Sequence, residues 1–389
     1  MKRFLFSLPV IFLCFVLSPT IGLGQSIVFK SGDAGYATYR IPAIIQSPNK
    51  DLLAFCEGRV NSSSDFGNID IVMKRSEDNG KTWSSVQAVV DVAGLQAGNP
   101  APVVDLLDPA YPKGRIFLFY NTGNNHEGEV RKGRGQREVW YITSVDNGNS
   151  WSAPVNISAQ VHRVGAPADW RSYANTPGHA LQISMGRFAG RLYVAANHSE
   201  GEPRGRFEDY RAHGFYSDDH GKSFLLSQSV ARPGGNESTA AELSNGRLVM
   251  NSRNQRGDIK ERLISVSSNG GASWDTSYFD TQLIDPVCQG SLLNIGWNKN
   301  KAALAFSNAA TQNKRDSLVL RISVDDGASW KHNLLVDYNP TGTKGDYTAY
   351  SDLVHINKKE LGVLYERIGY KEIVYQPIAL KKNYQPWKK

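Results

Sequence analysis

Cysteine is scarce in this chain, with only three such residues among 389. Small secreted folds that depend on disulfides are dense in cysteine, so this composition excludes a disulfide scaffold. Only Cys56 and Cys288 lie beyond the N-terminal segment described next. The sequence leaves two states open for them, a disulfide bridge or two separate buried thiols.

Long apolar runs are also missing, apart from one at the N-terminus. Residues 1–3 carry two positive charges, residues 4–17 are mainly apolar with one proline, and residues 22–24 include two glycines. These features predict a secretory signal peptide over residues 1–24, followed by a single domain over residues 25–389. The apolar segment is short for a membrane span. We therefore expect an exported protein, periplasmic or extracellular, with no integral membrane segment after signal removal.

The chain also lacks blocks of lysine and arginine interleaved with aromatic residues, although its formal net charge is +7. This distribution permits anionic partners but does not favour nucleic acid as one of them. The histidines at positions 126, 179, 198 and 213 show no metal-ligand spacing, and no glycine-rich phosphate loop follows a predicted strand. We therefore expect neither a catalytic metal nor a cofactor.

A turn motif with the frame S-x-D-x-G-x-[S/T]-W is repeated along the chain. Aspartate or asparagine in such a frame caps backbone N–H groups, glycine adopts a positive φ, and the terminal aromatic residue packs beneath the turn. Asn269 replaces the aspartate in one copy and Phe224 replaces the tryptophan in another, and neither change alters the expected turn. The five copies are SEDNGKTW (76–83), SVDNGNSW (144–151), SDDHGKSF (217–224), SSNGGASW (267–274) and SVDDGASW (323–330).

Apolar segments alternate with these turns, and each begins polar, runs apolar and ends on polar or charged residues. Each is typical of a buried strand that brings its last residues to a common place. Six such units predict an all-β fold, a six-bladed β-propeller of four-stranded antiparallel sheets. Two β-sandwich domains side by side are the alternative, but they do not explain the shared polar strand ends. The segments are DLLAFCEG (51–58), GRIFLFYN (114–121), GRLYVAAN (190–197), GRLVMNSR (246–253), KAALAFSN (301–308) and ELGVLYER (360–367).

Arg40 stands just ahead of an apolar run in the stretch YRIPAII, residues 39–45. A guanidinium is almost never fully buried without a partner, so Arg40 lies at a strand end, pairs with a structural carboxylate or binds an anionic ligand. Together with the five turns and the residues below, this stretch resembles the exo-sialidase (neuraminidase) family of retaining glycoside hydrolases. The likeness covers essentially the whole chain after the signal. The turns alone, called Asp boxes in that family, are weak evidence because they recur in unrelated β-proteins.

The resemblance implies a substrate whose carboxylate is bound by three arginines. Sialic acid carries a carboxylate on its anomeric carbon, and guanidiniums bind it through charge-assisted, partly bidentate hydrogen bonds that lysine makes less well. The positions that match the family's triad are Arg40, Arg253 in NSRNQRG and Arg315 in NKRDSLVLR. A surface ion pair is the alternative for each of them, and Lys314 and Arg321 compete with Arg315.

The resemblance also implies an unusual nucleophile. Sialidases use a tyrosine where other retaining glycosidases use a carboxylate. A carboxylate that attacks a centre already bearing one meets like-charge repulsion, whereas a neutral phenol does not. Tyr350 in AYSDL matches this nucleophile, and Glu237 in the triplet NES matches the glutamate that activates it. Tyr347 and Glu242 are the nearest alternatives for these two roles.

Asp65, in NSSSDFGNID, matches the family's acid/base residue. It lies on a serine-rich stretch 25 residues after Arg40, where a carboxyl group could protonate the leaving oxygen and later deprotonate water. Asp70 is the structural alternative. Glu366 in LYER resembles the carboxylate that orients the first arginine of the triad, and Arg59 in EGR is a candidate for contacting sugar hydroxyls.

Three functions fit these residues. The first is a secreted, monomeric exo-α-sialidase that acts on sialylated glycoproteins, glycolipids or oligosaccharides. The second is a propeller that binds glycans without hydrolysing them, and the third is an enzyme that transfers or cyclises the sugar or prefers a deaminated sialic acid. The presence of Asp65, Glu237 and Tyr350 favours the first function over the second. Asp105 and Trp140 are candidates for lining the pocket or for the core.

Overall fold

The structure is a computed structural model that describes residues 24–340, 342 and 345–380. The predicted signal peptide, residues 1–24, lies outside the described residues except for its last glycine. The described chain consists mainly of strands and their connections, with two single-turn helices, α1 (Glu127–Val130) and α2 (Ser158–Val161). Four short 3-10 turns occur at Asp33–Gly35, Gly186–Phe188, Gly205–Phe207 and Ser244–Gly246. Among the described residues, no helix combines the length and apolarity that a membrane span requires.

Strands near the centre of the molecule are buried along their whole length, for example Leu52–Arg59, whereas outer strands such as His332–Tyr338 are largely exposed. In chain order the strands of the described residues are β1 (Ser26–Lys30), β2 (Thr38–Gln46), β3 (Leu52–Arg59), β4 (Ile69–Ser76), β5 (Gln87–Val90), β6 (Gln96–Asp105), β7 (Arg115–Gly123), β8 (Arg137–Ser144), β9 (Val155–Asn156), β10 (Trp170–Asn175), β11 (Leu181–Gln182), β12 (Leu192–Glu200) and β13 (Tyr210–Ser217). They continue with β14 (Leu225–Leu226), β15 (Gly235–Glu242), β16 (Leu248–Asn254), β17 (Glu261–Ser267), β18 (Thr276–Ile284), β19 (Gly290–Asn298), β20 (Lys301–Ala309), β21 (Ser317–Ser323), β22 (His332–Tyr338), β23 (Thr348–Asn357), β24 (Glu360–Arg367) and β25 (Glu372–Ala379).

Within the described chain, these strands form four separate sheets and one larger continuous sheet. The separate sheets have the strand orders β10-β12-β13-β14, β15-β16-β17-β18, β19-β20-β21-β22 and β1-β25-β24-β23, with β11 beside β12. The larger sheet has eight strands in the order β2-β3-β4-β6-β7-β8-β9, with β5 beside β4. Neighbouring strands are mainly antiparallel, and the contact between β4 and β6 is parallel.

The prediction of an all-β propeller is supported, but the prediction of six four-stranded blades is wrong. The described residues form four separate blades, and the strands expected to make two further blades form the single eight-stranded sheet. The two halves of that sheet join where Ile69 pairs with Gln96, and the N–H of Ile69 donates to the carbonyl of Leu95 at 3.2 Å. Hydrophobic alternation reports the burial of a strand and not its hydrogen-bonding neighbours, so the sequence pattern could not reveal this join.

The ring of sheets is closed by the first strand of the described chain. Strand β1 pairs antiparallel with β25, and Ser26 lies opposite Tyr375. Val28 and Phe29 of β1 are each 1% exposed. Closure therefore buries apolar side chains as well as forming hydrogen bonds, and strands from both ends of the described chain hold the last blade together.

Apolar side chains fill the spaces between neighbouring sheets. Phe119 of the eight-stranded sheet packs against Phe215 and Phe224 of the next blade, with ring centroids 5.5 and 5.6 Å apart. All three side chains belong to one buried cluster. Full burial of a phenylalanine contributes about 1.5–3 kcal/mol to folding. Packing of this kind fixes the sheets relative to one another, and with them the polar strand ends.

The five turn motifs adopt one hydrogen-bonded conformation, as predicted. In the first copy, Ser76 Oγ donates to Asp78 Oδ1 at 2.8 Å, and the N–H of Thr82 donates to the same oxygen at 2.9 Å. Equivalent bonds recur in the other four copies, including the one with asparagine. Gly80 has a φ of 86°, and a Cβ there would lie 2.1 Å from the Tyr375 ring. Backbone conformation and close approach therefore both require glycine at this position.

Cys56 and Cys288 are both buried and free. The structure thus resolves the alternative left open by the sequence in favour of two separate thiols. Burial raises the pKa of Cys288 to about 12, so this thiol is protonated at neutral pH.

Candidate active site

A polar cavity of about 300 Å³ lies where the ends of several inner strands meet. Its walls come from strands β2, β3, β6, β8, β10, β12, β15, β16 and β23, from α1 and from the intervening loops. The cavity brings together seven residues predicted from the sequence, Arg40, Arg59, Asp65, Glu237, Arg253, Arg315 and Tyr350. The eighth predicted residue, Glu366, is bonded to Arg40 at 2.7 Å.

Glu366 holds the two strand segments that carry Arg40 and Tyr350. Its carboxylate accepts hydrogen bonds from Arg40 Nε at 2.7 Å and from the backbone N–H of Ile41 at 2.9 Å. It also accepts from the backbone N–H of Tyr350 at 3.1 Å. Ile41 has a φ of 61°, which is strained for a β-branched residue, and the register of β2 with β3 shifts there. The fully buried Glu366 therefore compensates the charge of Arg40 and fixes an unusual backbone.

The hydroxyl of Tyr350 forms a hydrogen-bonded group with Glu237 and Arg253. It donates to Glu237 Oε1 at 2.5 Å and accepts from Arg253 Nη1 at 3.0 Å. The same Arg253 nitrogen donates to Glu237 Oε2 at 2.7 Å. Tyr350 lies on β23, whereas Glu237 and Arg253 lie on the adjacent strands β15 and β16 of another blade. Packing between blades therefore sets the distance between the phenol and the carboxylate.

Burial raises the pKa of Tyr350 well above its usual value, and the negative charge of Glu237 raises it further. The positive charges of Arg253 and Arg315 act in the opposite direction without cancelling these effects. The phenol is therefore protonated in this structure, and it is already bonded to a carboxylate that can take its proton. A weak nucleophile with a base in hydrogen-bond contact is the arrangement that nucleophilic catalysis requires.

Arg315 lies in the loop between β20 and β21, next to the ring of Tyr350. Its guanidinium carbon is 5.8 Å from the centroid of that ring, and the guanidinium carbon of Arg40 is 5.5 Å from the same centroid. Arg315 Nη2 donates to the carbonyl of Val287 at 2.9 Å, which orients the side chain. Tyr370 connects the two arginines, because its ring lies 3.8 Å from the Arg40 guanidinium and its hydroxyl lies 3.4 Å from Arg315 Nη1. With Arg253, these arginines concentrate positive charge around the phenol.

Asp65 is bonded to Arg59 in the loop that follows β3. Arg59 Nη1 donates to Asp65 Oδ1 at 2.7 Å, while its Nη2 donates to Glu57 Oε2 at 2.7 Å. The side chain of Asp65 is 83% exposed, whereas those of Arg59 and Glu57 are buried. Partial removal from water raises the pKa of Asp65, but the positive charges of Arg59 and Arg40 outweigh this effect and lower it below the usual value. Asp65 is thus an ionised carboxylate at the mouth of the cavity.

The alternative residues do not line this cavity. The hydroxyl of Tyr347 accepts from an arginine outside the cavity at 3.3 Å, and Asp70 accepts from a tyrosine hydroxyl at 2.8 Å. Glu242 accepts from the backbone and side chain of a serine, at the opposite end of β15 from Glu237. Arg321 donates to an asparagine at 2.8 Å, away from the cavity. The structure thus distinguishes the matched residues from their competitors by position.

Asp105 and Trp140 do not lie in the cavity either. Asp105 ends β6, and its Oδ2 lies 2.9 Å from His220 Nδ1. Asp105, His220 and Asp108 place possible metal-ligating atoms within 4.8 Å of one another. Arg115 already lies 2.9 Å from Asp108, so part of the negative charge is neutralised. None of these three residues lines the cavity.

Several residues of the cavity were not predicted from the sequence. Glu57 had a signal, because it lies two positions before Arg59 in one strand and alternate residues of a strand share a face. Tyr370 lies beyond the end of β24 in a turn, where periodicity gives no signal. Gln96 and Arg137 begin strands β6 and β8, and neither belongs to a recognisable motif.

Comparison with known proteins gives a consistent family. Residues 50–363 match the model of the BNR repeat-like domain. The chain is 32% identical over 356 residues to a sialidase of Micromonospora viridifaciens, and this alignment covers 86% of this chain and 51% of that protein. It is 28% identical over 380 residues to a sialidase of Bacteroides fragilis, and this alignment covers 91% of this chain and 64% of that protein. The chain therefore spans less than two thirds of the length of either relative.

A solved structure extends this comparison to the fold. The Hadza microbial sialidase Hz136 superposes with a TM-score of 0.75 at 27% sequence identity, over 92% of this chain and 68% of that chain. Fold, matched motifs and relatives agree, and the chain belongs to the sialidase family of glycoside hydrolases.

Proposed function

We propose that this protein is an exo-α-sialidase that hydrolyses the glycosidic bond of terminal sialic acids on glycoproteins, glycolipids or oligosaccharides. The proposal rests mainly on the hydrogen bond of 2.5 Å between Tyr350 OH and Glu237 Oε1. Arg40, Arg253 and Arg315 line the same cavity as this pair. The arginines can bind the carboxylate of an anionic sugar, and the phenol can serve as a nucleophile that this carboxylate does not repel.

The arginine triad binds the carboxylate that the sugar carries on its reacting carbon. Guanidiniums donate several hydrogen bonds in a fixed plane, which matches the geometry of a carboxylate. Arg40 and Arg253 are each held at 2.7 Å by a protein carboxylate, Glu366 and Glu237 respectively. Less side-chain freedom is therefore lost when substrate binds. The anomeric carbon is thereby placed next to the Tyr350 hydroxyl.

In the first chemical step, the oxygen of Tyr350 attacks the anomeric carbon while its proton passes to Glu237. A bond forms between the phenol oxygen and this carbon, and the bond to the leaving oxygen breaks. Arg253 contacts both Tyr350 and Glu237, so it stabilises the negative charge that develops on the phenol oxygen. A neutral nucleophile avoids repulsion by the substrate's own carboxylate.

Asp65 gives a proton to the leaving oxygen in that step and removes a proton from water in the next. Water then replaces the phenol on the anomeric carbon, Glu237 returns its proton to Tyr350, and the configuration is retained overall. Arg59 stabilises the ionised form of Asp65 in the free protein. The acid role therefore requires this ion pair to open and Asp65 to take up a proton from solvent before the first step, and the exposed loop position of Asp65 is compatible with such a movement.

Export and monomeric state belong to the same proposal. The charged start, apolar segment and glycines of residues 1–24 support removal of a signal peptide, which leaves the catalytic propeller over residues 25–389. N-terminal sequencing of exported protein should begin close to residue 25, and its mass in solution should be that of one chain. Retention of residue 1 or a larger assembly would contradict these two points.

The activity is tested by incubating the protein with a fluorogenic aryl α-sialoside while proton NMR follows the released sugar. We expect free sialic acid that appears first as the α-anomer. First appearance of the β-anomer would contradict retention. Release of an anhydro sugar, or transfer to an added acceptor, would identify a cyclising or transferring enzyme, and binding without release would identify a glycan-binding propeller.

A further inference from the structure

A groove of about 630 Å³ lies at the end of the propeller opposite the catalytic cavity. Strands β15 and β16 carry Glu237 and Arg253 at the end that faces the cavity. At their other end, Glu242 closes β15 and Gly246 precedes β16, and both of these residues line the groove. The span from Glu237 to Glu242 corresponds to about 17 Å along a strand. The groove and the cavity share no lining residue, so they are separate sites.

Three connections between strands form the walls of the groove. The 3-10 turns Gly186–Phe188 and Ser244–Gly246 are in contact, since a Cβ on Gly186 would lie 3.8 Å from Gly246 Cα. The third wall is the turn between β19 and β20, which carries Lys299. Lys299 has a φ of 53°, a conformation that lysine rarely adopts. Short turns that are tied to blade strands give the groove a fixed backbone.

Two aromatic rings of the groove are held in place by the core. Phe188 packs against one buried apolar cluster and Trp297 packs against another. Both side chains remain partly exposed, and both line the groove. The guanidinium carbon of Arg187 lies 5.3 Å from the centroid of the Phe188 ring, which combines an apolar face with a positive charge. Rings that are already fixed lose little side-chain freedom when a ligand packs on them.

Four polar side chains of the groove make no hydrogen bond or ion pair with any residue that the structure describes. They are those of Arg187, Lys299, Asn245 and Asn300, and all four residues are exposed. Glu242 is the carboxylate of the lining, but it is buried and its oxygens accept from the turn before Gly186. Two cations therefore face the groove against one carboxylate that is already bonded. This charge favours an anionic ligand.

We propose that this groove is a second glycan-binding site, which takes an acidic oligosaccharide and plays no part in catalysis. Its volume lies within the range of about 300–1,000 Å³ that is typical of ligand sites. The rings contact the C–H faces of the sugar, and the amides of Asn245 and Asn300 donate to and accept from its hydroxyls. Arg187 and Lys299 bind its acidic group through charge-assisted hydrogen bonds. An acidic peptide supplies the charge but not the ring faces, so the groove fits a sugar better.

The indole N–H of Trp297 reports binding in the groove directly. The chain has eight tryptophans and none lines the catalytic cavity, and Trp297→Phe identifies the Trp297 signal in a proton–nitrogen correlation spectrum by its loss. The probes are sialyllactose, a disaccharide that contains glucuronic acid, neutral lactose and a short glutamate peptide. They are added to Tyr350→Phe protein, so that sialyllactose stays intact. We expect a saturable shift of the Trp297 signal with an acidic sugar and none with lactose.

The two acidic probes distinguish the sources of such a sugar. A shift with sialyllactose alone assigns the groove to sialylated glycans, a shift with the glucuronic acid sugar alone assigns it to uronic acids, and a shift with both assigns it to acidic sugars in general. No shift with either, or an equal shift with lactose, would overturn the proposal. A shift with the glutamate peptide alone would overturn it in favour of a peptide site.

Charge variants then test the role of the two cations. The double variant Arg187→Met, Lys299→Met should raise Kd for the acidic sugar by at least about 10-fold, because charge-assisted hydrogen bonds are lost. Lys113→Met is the matched control, since this exposed lysine lies outside the groove, and it should leave Kd unchanged. An unchanged Kd in the double variant would overturn the proposal.

Catalysis provides an independent measurement. In otherwise wild-type protein, the double variant should keep the wild-type kcat/KM for an aryl α-sialoside, because the groove and the cavity are separate. A loss of kcat/KM that parallels the loss of binding would overturn a second, independent site. The Trp297 signal reports binding whether or not the protein hydrolyses sialosides, so failure of the groove and failure of the proposed activity are distinguishable.

Discussion

At the scale of single residues, the chemistry depends on whether each carboxyl group of the site is protonated. Asp65 is ionised while Arg59 is bound to it, because the positive charge of Arg59 lowers its pKa. Only the protonated form of Asp65 can serve as the acid. Substrates with poor leaving groups depend on this proton, whereas substrates with good leaving groups do not. Glu237 is bonded to Tyr350 and serves the nucleophile irrespective of the leaving group.

Asp65→Ala should therefore separate substrates by their leaving groups. An aryl sialoside with a good leaving group should keep most of its rate of bond cleavage, whereas a natural sialyl linkage should lose activity by at least about 100-fold, the size of a general acid's contribution. Single-turnover rates on both substrates measure the difference. Equal losses on both would contradict the role of Asp65 as proton donor. Glu237→Ala is the matched comparison, since it should impair both substrates.

Arg253 illustrates why lysine does not replace arginine at this site. One nitrogen of Arg253 contacts both Glu237 and Tyr350, and the rest of the planar group remains for a carboxylate. Arg253→Lys should lower kcat/KM by about 10- to 150-fold, which corresponds to about 1.5–3 kcal/mol. Arg247→Lys is the control, because Arg247 pairs with Asp326 outside the cavity. Near-normal kcat/KM in folded Arg253→Lys protein would exclude Arg253 from carboxylate binding.

At the scale of elements, the repeated turns stabilise the blades through charged caps. Asp146 accepts from Ser150 N at 2.9 Å and from Ser144 Oγ at 2.8 Å. The side-chain and backbone hydrogen bonds of Ser150 lower its pKa to about 2. A folded-state pKa below that of the unfolded chain means that the unfolded chain binds more protons. This contribution is present above about pH 4 and is lost as the pH falls towards 2.

Asp146→Asn tests the cap without removing it. The copy of the turn that carries Asn269 keeps the two bonds named for Asp146, with Ser273 N at 2.9 Å from Asn269 Oδ1. Its Nδ2 donates to Ser273 Oγ, whereas Asp146 accepts from Ser150 Oγ, so asparagine fits this conformation with one hydrogen bond reversed. The variant should have nearly wild-type stability at neutral pH and wild-type kcat. Between pH 4 and 2, its melting temperature should fall less than that of the wild type. Parallel melting curves over this range would show that the Asp146 cap carries no pH-dependent stability.

At the scale of the whole molecule, the ring depends on strand β1 for its closure. Phe29 is 1% exposed, whereas Ile27 on the same strand is 37% exposed. Phe29→Ala should lower the free energy of unfolding by about 3–5 kcal/mol, the usual cost of removing a buried phenyl ring. Ile27→Ala should cost much less. Urea unfolding measures both variants, and similar small losses would mean that β1 does not hold the last blade.

The sequence predicted much of this architecture because its signals are local. The motif that contains Ser76, Asp78 and Gly80 predicts a turn from a few neighbouring residues, and apolar runs predict buried strands. The predicted number of separate blades was wrong, because the true number depends on one non-local contact. Ile69 and Gln96 pair across a long connection, and hydrophobic patterning carries no information about which strands become neighbours.

The residues of the candidate site likewise fall into those that the sequence predicted and those that it did not. The eight predicted residues come together around one cavity or support it, because each belongs to a motif that can be matched to the family. Arg137 begins a strand with no motif around it, and its lack of an acidic partner is visible only when the three-dimensional neighbours are known. The Asp65–Arg59 pair is hidden for the same reason, since sequence proximity does not give side-chain direction.

The central claim is that Tyr350 forms a covalent bond to the sugar. A fluorinated sialic acid that reacts at the anomeric carbon but is released slowly should label one tyrosine of the active protein. Peptide fragmentation by mass spectrometry must then distinguish Tyr350 from the nearby Tyr347, which contacts Arg367 outside the cavity. We predict the label on Tyr350. A label on Tyr347, or no label on protein that hydrolyses sialosides, would contradict the mechanism.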